Sequence, residues 1–213
     1  MGGLFVVFEG GDGVGKSHQA RWLAEWLRAR GRDVVLTFEP GDTPAGRRIR
    51  EIVLSPETGD LSPRAEALLY AADKAHHVYA VVAPALRRGA VVVSDRYVDS
   101  TLAYQGAGRV LDGGEVEWIN RWATSGLRPD LTILMDLEPA RGVGELTTRD
   151  RIEREGAEFH TRVREGFLAL AARDPGRYLV IAARDPKEVN RERIRARVQL
   201  LLELSEGPGR LGS

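Results

Sequence analysis

The residues Gly10-Gly11-Asp12-Gly13-Val14-Gly15-Lys16-Ser17 have the composition and spacing of a loop that wraps a polyphosphate, G-x-x-x-x-G-K-S. Its glycines accept backbone conformations that turn successive N–H groups inward around an anion. Lys16 can reach the β- and γ-phosphates of a nucleotide, and the Ser17 hydroxyl can join the shell of a Mg2+ ion. A chance glycine-rich turn would not bring the context found here, an apolar run over residues 4–8 before the loop and a helical pattern after it. The motif establishes nucleotide binding and leaves the reaction open.

A second set follows the apolar run at 91–93, where Ser94-Asp95-Arg96-Tyr97 puts a carboxylate and a guanidinium at the carboxyl end of an expected strand. In open α/β sheets that edge is where ligands sit. Asp95 can hold Mg2+ through its water shell, and the planar fork of Arg96 suits a phosphate. Taken alone, Asp95 would as readily cap the next helix and pair with Arg96. Beside a phosphate loop the chemical reading prevails.

The elements that must carry these residues are legible as alternating apolar runs and helical stripes. Strands are expected over residues 4–8, 33–38, 90–94, 131–136 and 178–182, and helices over 16–30, 44–54, 63–88, 114–125, 157–173 and 186–204. Trp22, Leu23, Trp26 and Leu27 give the first helix its stripe, and Gly31 ends it. Strands alternating with helices imply an α/β fold with a parallel sheet covered on both faces. Residues 205–213 read as a flexible tail. The pairs Trp22/Trp26 and Trp118/Trp122 read as core or interface anchors. Adjacent His76 and His77 cannot share a metal, because neighbouring helical residues point apart.

The chain has 213 residues, enough for one substantial core. Lysine plus arginine and aspartate plus glutamate number 31 each, so no overall basic field recruits nucleic acid and any anion site is local. The absence of cysteine excludes disulfides, thiolate metal sites and cysteine nucleophiles. Nothing resembles a signal peptide or a membrane span, so the expected location is cytoplasmic.

Beyond these readings, most of residues 4–190 resembles the bacterial thymidylate kinases. The resemblance is carried by Phe8-Glu9 and the loop through Ser17, Glu39-Pro40-Gly41, Thr43-Pro44, Ile49-Arg50 and the run from Asp95 through Arg96, Tyr97, Ser100, Thr101, Tyr104 and Gln105 to Gly106, with Asp150-Arg151-Ile152-Glu153 at the end of a lid. It implies a P-loop NTPase three-layer fold, a five-stranded parallel sheet flanked by helices with a short lid, in a single kinase domain over 1–204 with the lid at about 139–153. It also implies transfer of the ATP γ-phosphoryl to dTMP, giving dTDP and ADP on the way to dTTP, with Mg2+ and as a homodimer.

By position, the resemblance puts Gly10, Gly11, Asp12, Gly13, Val14, Gly15, Lys16, Ser17 and His18 on ATP. It puts Asp12 beside the deoxyribose, Arg96 on the dTMP phosphate and the transferring group, and Tyr70 against the thymine face. Lys74 falls near O4, Thr101 and Gln105 along the thymine edge, and Tyr104 against the sugar. Glu39 and Arg50 fall among the acceptor contacts, with Arg50 toward its phosphate. Ser17, Asp95 and Glu153 are the implied metal residues. Lys16, Arg96 and a lid arginine, Arg149 or Arg151, are the implied catalytic cations. Arg141 and the glycines at 142 and 144 complete the lid pattern.

The chain departs from that family pattern at Phe38, Asp42, His18, Lys74, Ala182 and the start of the lid, Pro139-Ala140. Lys74 replaces an arginine, so a bidentate base contact is lost there. Rival readings are a deoxynucleoside kinase, which would phosphorylate thymidine itself, a nucleotide-dependent switch and a non-catalytic scaffold. A guanine-type switch would carry Asn-Lys-x-Asp, which is absent.

Overall fold

A computed structural model describes residues 2–138 and 150–206. The expected strands all form: β1 (Leu4–Glu9), β2 (Val34–Phe38), β3 (Val91–Asp95), β4 (Leu131–Asp136) and β5 (Tyr178–Ala182). They make one parallel sheet in the order β2-β3-β1-β4-β5. Both faces are covered, which is why β1 over residues 4–8 and β3 over residues 91–93 are continuously apolar rather than alternating, with polar residues only at their carboxyl ends. Leu4, Val6 and Phe8 pack with Leu23 and Leu27 of α1 (Lys16–Arg28) and with Ile194 and Val198 of α8 (Lys187–Glu206). Phe5 and Val7 turn to the other face, against Val78, Val82 and Tyr97.

The strand order reverses between β1 and β3, so a crevice opens beyond their carboxyl ends. Phe8 is in register with Asp95, and the Arg96 N–H donates to the Phe8 carbonyl at 2.9 Å. That register alone sets the phosphate loop beside Arg96.

Helix α2 (Pro44–Leu54) begins as its sequence dictates, with Thr43 Oγ1 accepting the Gly46 N–H at 2.9 Å and Pro44 in the first turn. The expected helix over 63–88 is divided. α3 (Pro63–His77) gives way to a wide turn at Val78–Val82 and then α4 (Ala83–Arg87), with the Ala83 N–H reaching back to the Val78 carbonyl. Pro84 offers no N–H to the regular ladder, and widening the preceding turn accommodates it.

The segment 98–108, where no helix was expected, is helical: α5 (Val98–Thr101) runs into a wide helical stretch, Leu102–Gly108. Its glycines argue against a helix locally. Packing of Tyr104 against Phe159 and Phe167 of α7 (Ala157–Arg173) decides the matter. Helix α6 (Gly113–Ala123) starts one residue earlier than expected because Asp112 caps it, accepting the Glu115 N–H at 2.9 Å. The last helix runs through Glu206, so Ser205 and Glu206 belong to it rather than to the tail, and 207–213 lie outside the described residues. Among the described residues no helix is long and apolar enough to cross a membrane.

Candidate active site

The turn out of β1 requires glycine. Gly10 has φ 135°, and a Cβ there would stand 2.4 Å from the Met135 carbonyl oxygen. Gly13 and Gly15 also have positive φ, and Gly15 caps α1 without a side chain, which leaves first-turn N–H groups of the helix for an anion. Lys16 is buried at the loop, its Nζ donating to the Gly11 carbonyl at 2.5 Å. Burial, reinforced by the Arg96 guanidinium, pushes the Lys16 ammonium down to about 8.

Arg96 is the centre of the site. Its backbone is left-handed, φ 73°, a conformation that costs a non-glycine residue on the order of 1 kcal/mol and persists only where surroundings fix it. Nη1 donates to the Gly10 carbonyl at 3.0 Å and to Ser100 Oγ at 2.9 Å, and Nη2 donates to Asp12 Oδ1. The guanidinium carbon lies 5.2 Å from the Tyr104 ring centre, and Tyr104 Oη donates to Asp12 Oδ2 at 2.8 Å. Burial opposes ionisation of Asp12, but Arg96 and Lys16 outweigh it and hold the carboxyl below its ordinary range.

Behind Arg96 stands Glu9, a residue whose part the sequence left unassigned. Its Oε1 accepts the N–H groups of Tyr97 (2.9 Å) and Ser100 (3.1 Å), and Oε2 accepts the Ser100 hydroxyl at 2.6 Å. Full burial and the neighbouring Asp99 push the Glu9 carboxyl up to about 8.

One cavity adjoins this centre, and every expected acceptor residue lines it: Asp12, Glu39, Arg50, Tyr70, Lys74, Arg96, Thr101, Tyr104 and Gln105. Tyr97, Ser100, Leu54, Asp150, Ile152 and Glu153 complete the wall. Helix α3 supplies Tyr70 and Lys74 one turn apart, and the 98–108 helix supplies Thr101, Tyr104 and Gln105. Thr101 Oγ1 is buried without a hydrogen-bond partner. Arg50 is held by the Pro40 carbonyl at 2.8 Å, its guanidinium carbon 5.9 Å from the Phe38 ring.

The floor is a buried polar chain. Lys74 Nζ lies 3.2 Å from Glu39 Oε2, and Glu39 Oε1 lies 2.7 Å from His77 Nδ1. His77 Nε2 is 2.5 Å from Thr37 Oγ1, which donates to Asp42 Oδ2 at 2.5 Å. Burial opposes ionisation of Glu39, and Lys74 with His77 overcomes it. His76, by contrast, is exposed. The close fit of α2 against α3 requires Gly46, where a Cβ would stand 2.3 Å from Asp73 Oδ1.

Of the expected metal residues, the structure brings two together. Ser17 Oγ donates to Asp95 Oδ2, and Asp95 Oδ1 is a buried oxygen with no partner. A hydroxyl beside an orphaned carboxylate oxygen is a donor set that fits Mg2+, which takes a carboxylate and completes its shell with water and phosphate. Glu153 is not at that pair. It lines the acceptor cavity, accepts the Asp150 N–H at 3.0 Å, and burial pushes its carboxyl upward.

Arg151 likewise faces away from the phosphate loop. Its Nε donates to the Val53 carbonyl at 3.0 Å and its Nη2 to Glu66, on a depression shared with Arg109 and Arg154. Arg149, Arg141, Pro139, Ala140 and the glycines at 142 and 144 lie outside the described residues. His18 turns along α1 to Arg191, Nε2 to Nη2 3.2 Å, and Arg191 stacks 5.2 Å from the Trp22 ring centre.

Glu9, Glu66 and His77 are the contributors that motif reading passed over. The last two had a signal: Glu66, Tyr70, Asp73, Lys74 and His77 fall on one helical stripe, a polar face in an apolar context.

A phosphate loop, an arginine at its shoulder and an acceptor cavity beside both match what comparison finds. The family model described as "Thymidylate kinase" matches residues 8–194. A thymidylate kinase of Cutibacterium acnes is 60% identical over 95% of this chain and 99% of its own, and one of Clavibacter sepedonicus is 56% identical over 95% and 97%. A thymidylate kinase crystal structure from Ehrlichia chaffeensis superposes with a TM-score of 0.76 at 31% identity, covering 92% of this chain and 99% of that one. Sheet order, loop and acceptor cavity therefore have one common explanation: the chain belongs to the thymidylate kinase family.

Proposed function

We propose that the protein transfers the γ-phosphoryl of ATP to dTMP, with Lys16, Arg96 and a lid arginine as the catalytic cations. The reading rests above all on one observation: a single cavity, which shares Asp12 with the phosphate loop and includes the neighbouring Arg96, is walled by all the expected acceptor residues. A phosphate oxygen of the acceptor attacks the γ-phosphorus, the bond to the β-bridging oxygen breaks, and ADP leaves. Such transfer needs in-line positioning and positive charge rather than covalent help.

Lys16 and the loop N–H groups hold the donor phosphates. Arg96 turns its fork toward the point where acceptor and donor meet, and Asp12 and Tyr104 keep that fork in place. Tyr70 stacks on the base, Tyr104 borders the sugar, and Arg50 faces the acceptor phosphate. Mg2+ would be held by Ser17 and Asp95 and would neutralise phosphate charge. Arg149 remains the lid arginine assigned to the phosphates, because Arg151 would first have to leave Glu66.

We also propose a cytoplasmic homodimer. Leu68 of α3, Tyr79 of the wide turn that follows it, and Trp118 and Trp122 of α6 are exposed large apolar side chains of the kind that a second copy covers. Sedimentation at micromolar concentration should give twice the chain mass, and a monomer would refute the assembly.

The test of the activity is ADP release from Mg2+-ATP with dTMP, dUMP, thymidine, AMP, GMP or no acceptor. Release fastest with dTMP and negligible without acceptor is expected. Preference for thymidine would make the protein a nucleoside kinase, and release independent of acceptor would make it a hydrolase.

A further inference from the structure

Glu66 lies on α3 one turn before Tyr70, yet it forms no part of the cavity wall. It is completely buried and accepts from Arg109 Nε at 3.1 Å and Nη2 at 3.2 Å, from Arg151 Nη2, and from Gln105 Nε2 at 2.9 Å. Burial works against its ionisation, but Arg109, Gln105 and Arg151 outweigh burial and keep the carboxyl below its ordinary range. An ionised carboxylate only accepts hydrogen bonds. The Gln105 amide therefore has one allowed orientation, N–H2 toward Glu66, and its carbonyl oxygen is left for the cavity that Gln105 lines. Without such a partner an amide can flip, since its two ends have nearly the same shape.

The same cavity is lined by Lys74, whose ammonium only donates, and by Thr101, whose buried hydroxyl has no partner. A fixed acceptor and a fixed cation in one cavity, held by Glu66 and Glu39 respectively, suit a ring edge with an N–H next to a carbonyl oxygen. The 2,4-dioxopyrimidines present that edge at N3–H and O4. A 4-aminopyrimidine presents a lone pair at N3 and an amino group at C4, so it would meet lone pair with carbonyl oxygen and amino group with ammonium.

We propose that Glu66 is a positioning residue that sets base selectivity: by fixing the Gln105 amide it makes the cavity accept 2,4-dioxopyrimidine nucleotides and reject 4-aminopyrimidine nucleotides. The inference rests on the kinase reading above. It is tested by measuring kcat and KM for dTMP and dCMP with the wild type and Glu66→Gln. In the variant the amide oxygen takes the Oε2 place, where Arg109 Nη2 and Arg151 Nη2 both donate to it, and the N–H2 takes the Oε1 place facing Gln105, at the loss of the Arg109 Nε bond. Gln105 then turns its oxygen toward position 66 and its own N–H2 into the cavity.

The ratio of kcat/KM for dTMP to that for dCMP should fall by at least about tenfold, carried by KM for the monophosphate with KM for ATP unchanged. In a Gln105→Ala background the same Glu66 substitution should leave the ratio where Gln105→Ala alone puts it. A folded Glu66→Gln protein with the wild-type ratio overturns the proposal. Should Glu66→Gln fail to fold, Gln105→Ala decides by itself: it must lower the efficiency with dTMP more than that with dCMP, and equal losses overturn the proposal. A wild type inactive on dTMP would refute the kinase reading, and this inference with it.

Discussion

Tyr104 and Asp12 are tied by a hydrogen bond of 2.8 Å from the phenol to Oδ2, while Arg96 holds the other oxygen of the same carboxylate. The carboxylate is thus fixed from both sides at the junction of donor loop and acceptor cavity. Tyr104→Phe keeps the ring that packs on Phe159 and removes only the hydroxyl. The expected result is a loss of about fivefold in kcat/KM for dTMP, corresponding to a net hydrogen bond of about 1 kcal/mol. Steady-state kinetics within twofold of wild type would show that Asp12 does not need the phenol.

Removing a cation at the centre should be far more costly. Lys16→Ala and Arg96→Ala should each reduce turnover by about 10³ or more. Arg96→Lys should not restore it, because an ammonium cannot span Gly10, Ser100 and Asp12 as a fork does. Circular dichroism should show a folded chain in each case, and substantial turnover by the alanine variants would remove these residues from the mechanism.

Lys16 gives the reaction a pH signature. Its ammonium is lowered to about 8 by burial and by Arg96, so in the free enzyme the charge is present below that pH and lost above it. Only the charged form attracts phosphates. On that ground kcat/KM for ATP should decline above pH 8, about tenfold per unit once well past it. The limb in kcat should lie at higher pH, because bound phosphates favour the ammonium. A flat kcat/KM to pH 9.5 would contradict the assignment.

Tyr70 is set to act on the acceptor alone. Tyr70→Ala should raise KM for dTMP at least about tenfold while leaving KM for ATP within about twofold. Equal effects on both substrates would reduce the ring to packing.

For the metal, Asp95→Asn removes the charge of the orphaned oxygen while keeping the shape. The Mg2+ concentration for half-maximal rate should rise several-fold, and Ser17→Ala should act in the same direction. Titration of Mg2+ at fixed ATP would read this, and an unchanged requirement would place the ion elsewhere.

How far the sequence reaches is clear from particular residues. β1 and β3 were legible because a strand buried on both faces reads as a continuous apolar run, residues 4–8 and 91–93, whereas their register, Phe8 opposite Asp95, came from the fold. The phosphate loop was legible because only certain residue types can make it. The 98–108 helix was not, since its glycines oppose helix locally and its support, Phe159 and Phe167, comes from distant positions. Glu66 escaped for a related reason: its meaning lies in Gln105, Arg109 and Arg151, and no local pattern joins them. Arg151 reads alike in sequence whether it points at ATP or at a buried carboxylate. Only the fold distinguishes the two.

Asp42 and Lys74 are the two ends of one chain of polar contacts through Thr37, His77 and Glu39, buried except at Asp42. They are therefore coupled through shared partners. Restoring glycine at 42 takes the acceptor from Thr37, and Thr37 is then free to reorient toward His77. That alters what Glu39 must balance, and Glu39 is what Lys74 leans on. Transplanting base preference between relatives by exchanging position 74 alone would thus graft one end of a circuit. What sets the floor of this pocket is the whole chain of contacts, from a loop outside the cavity to the cation itself.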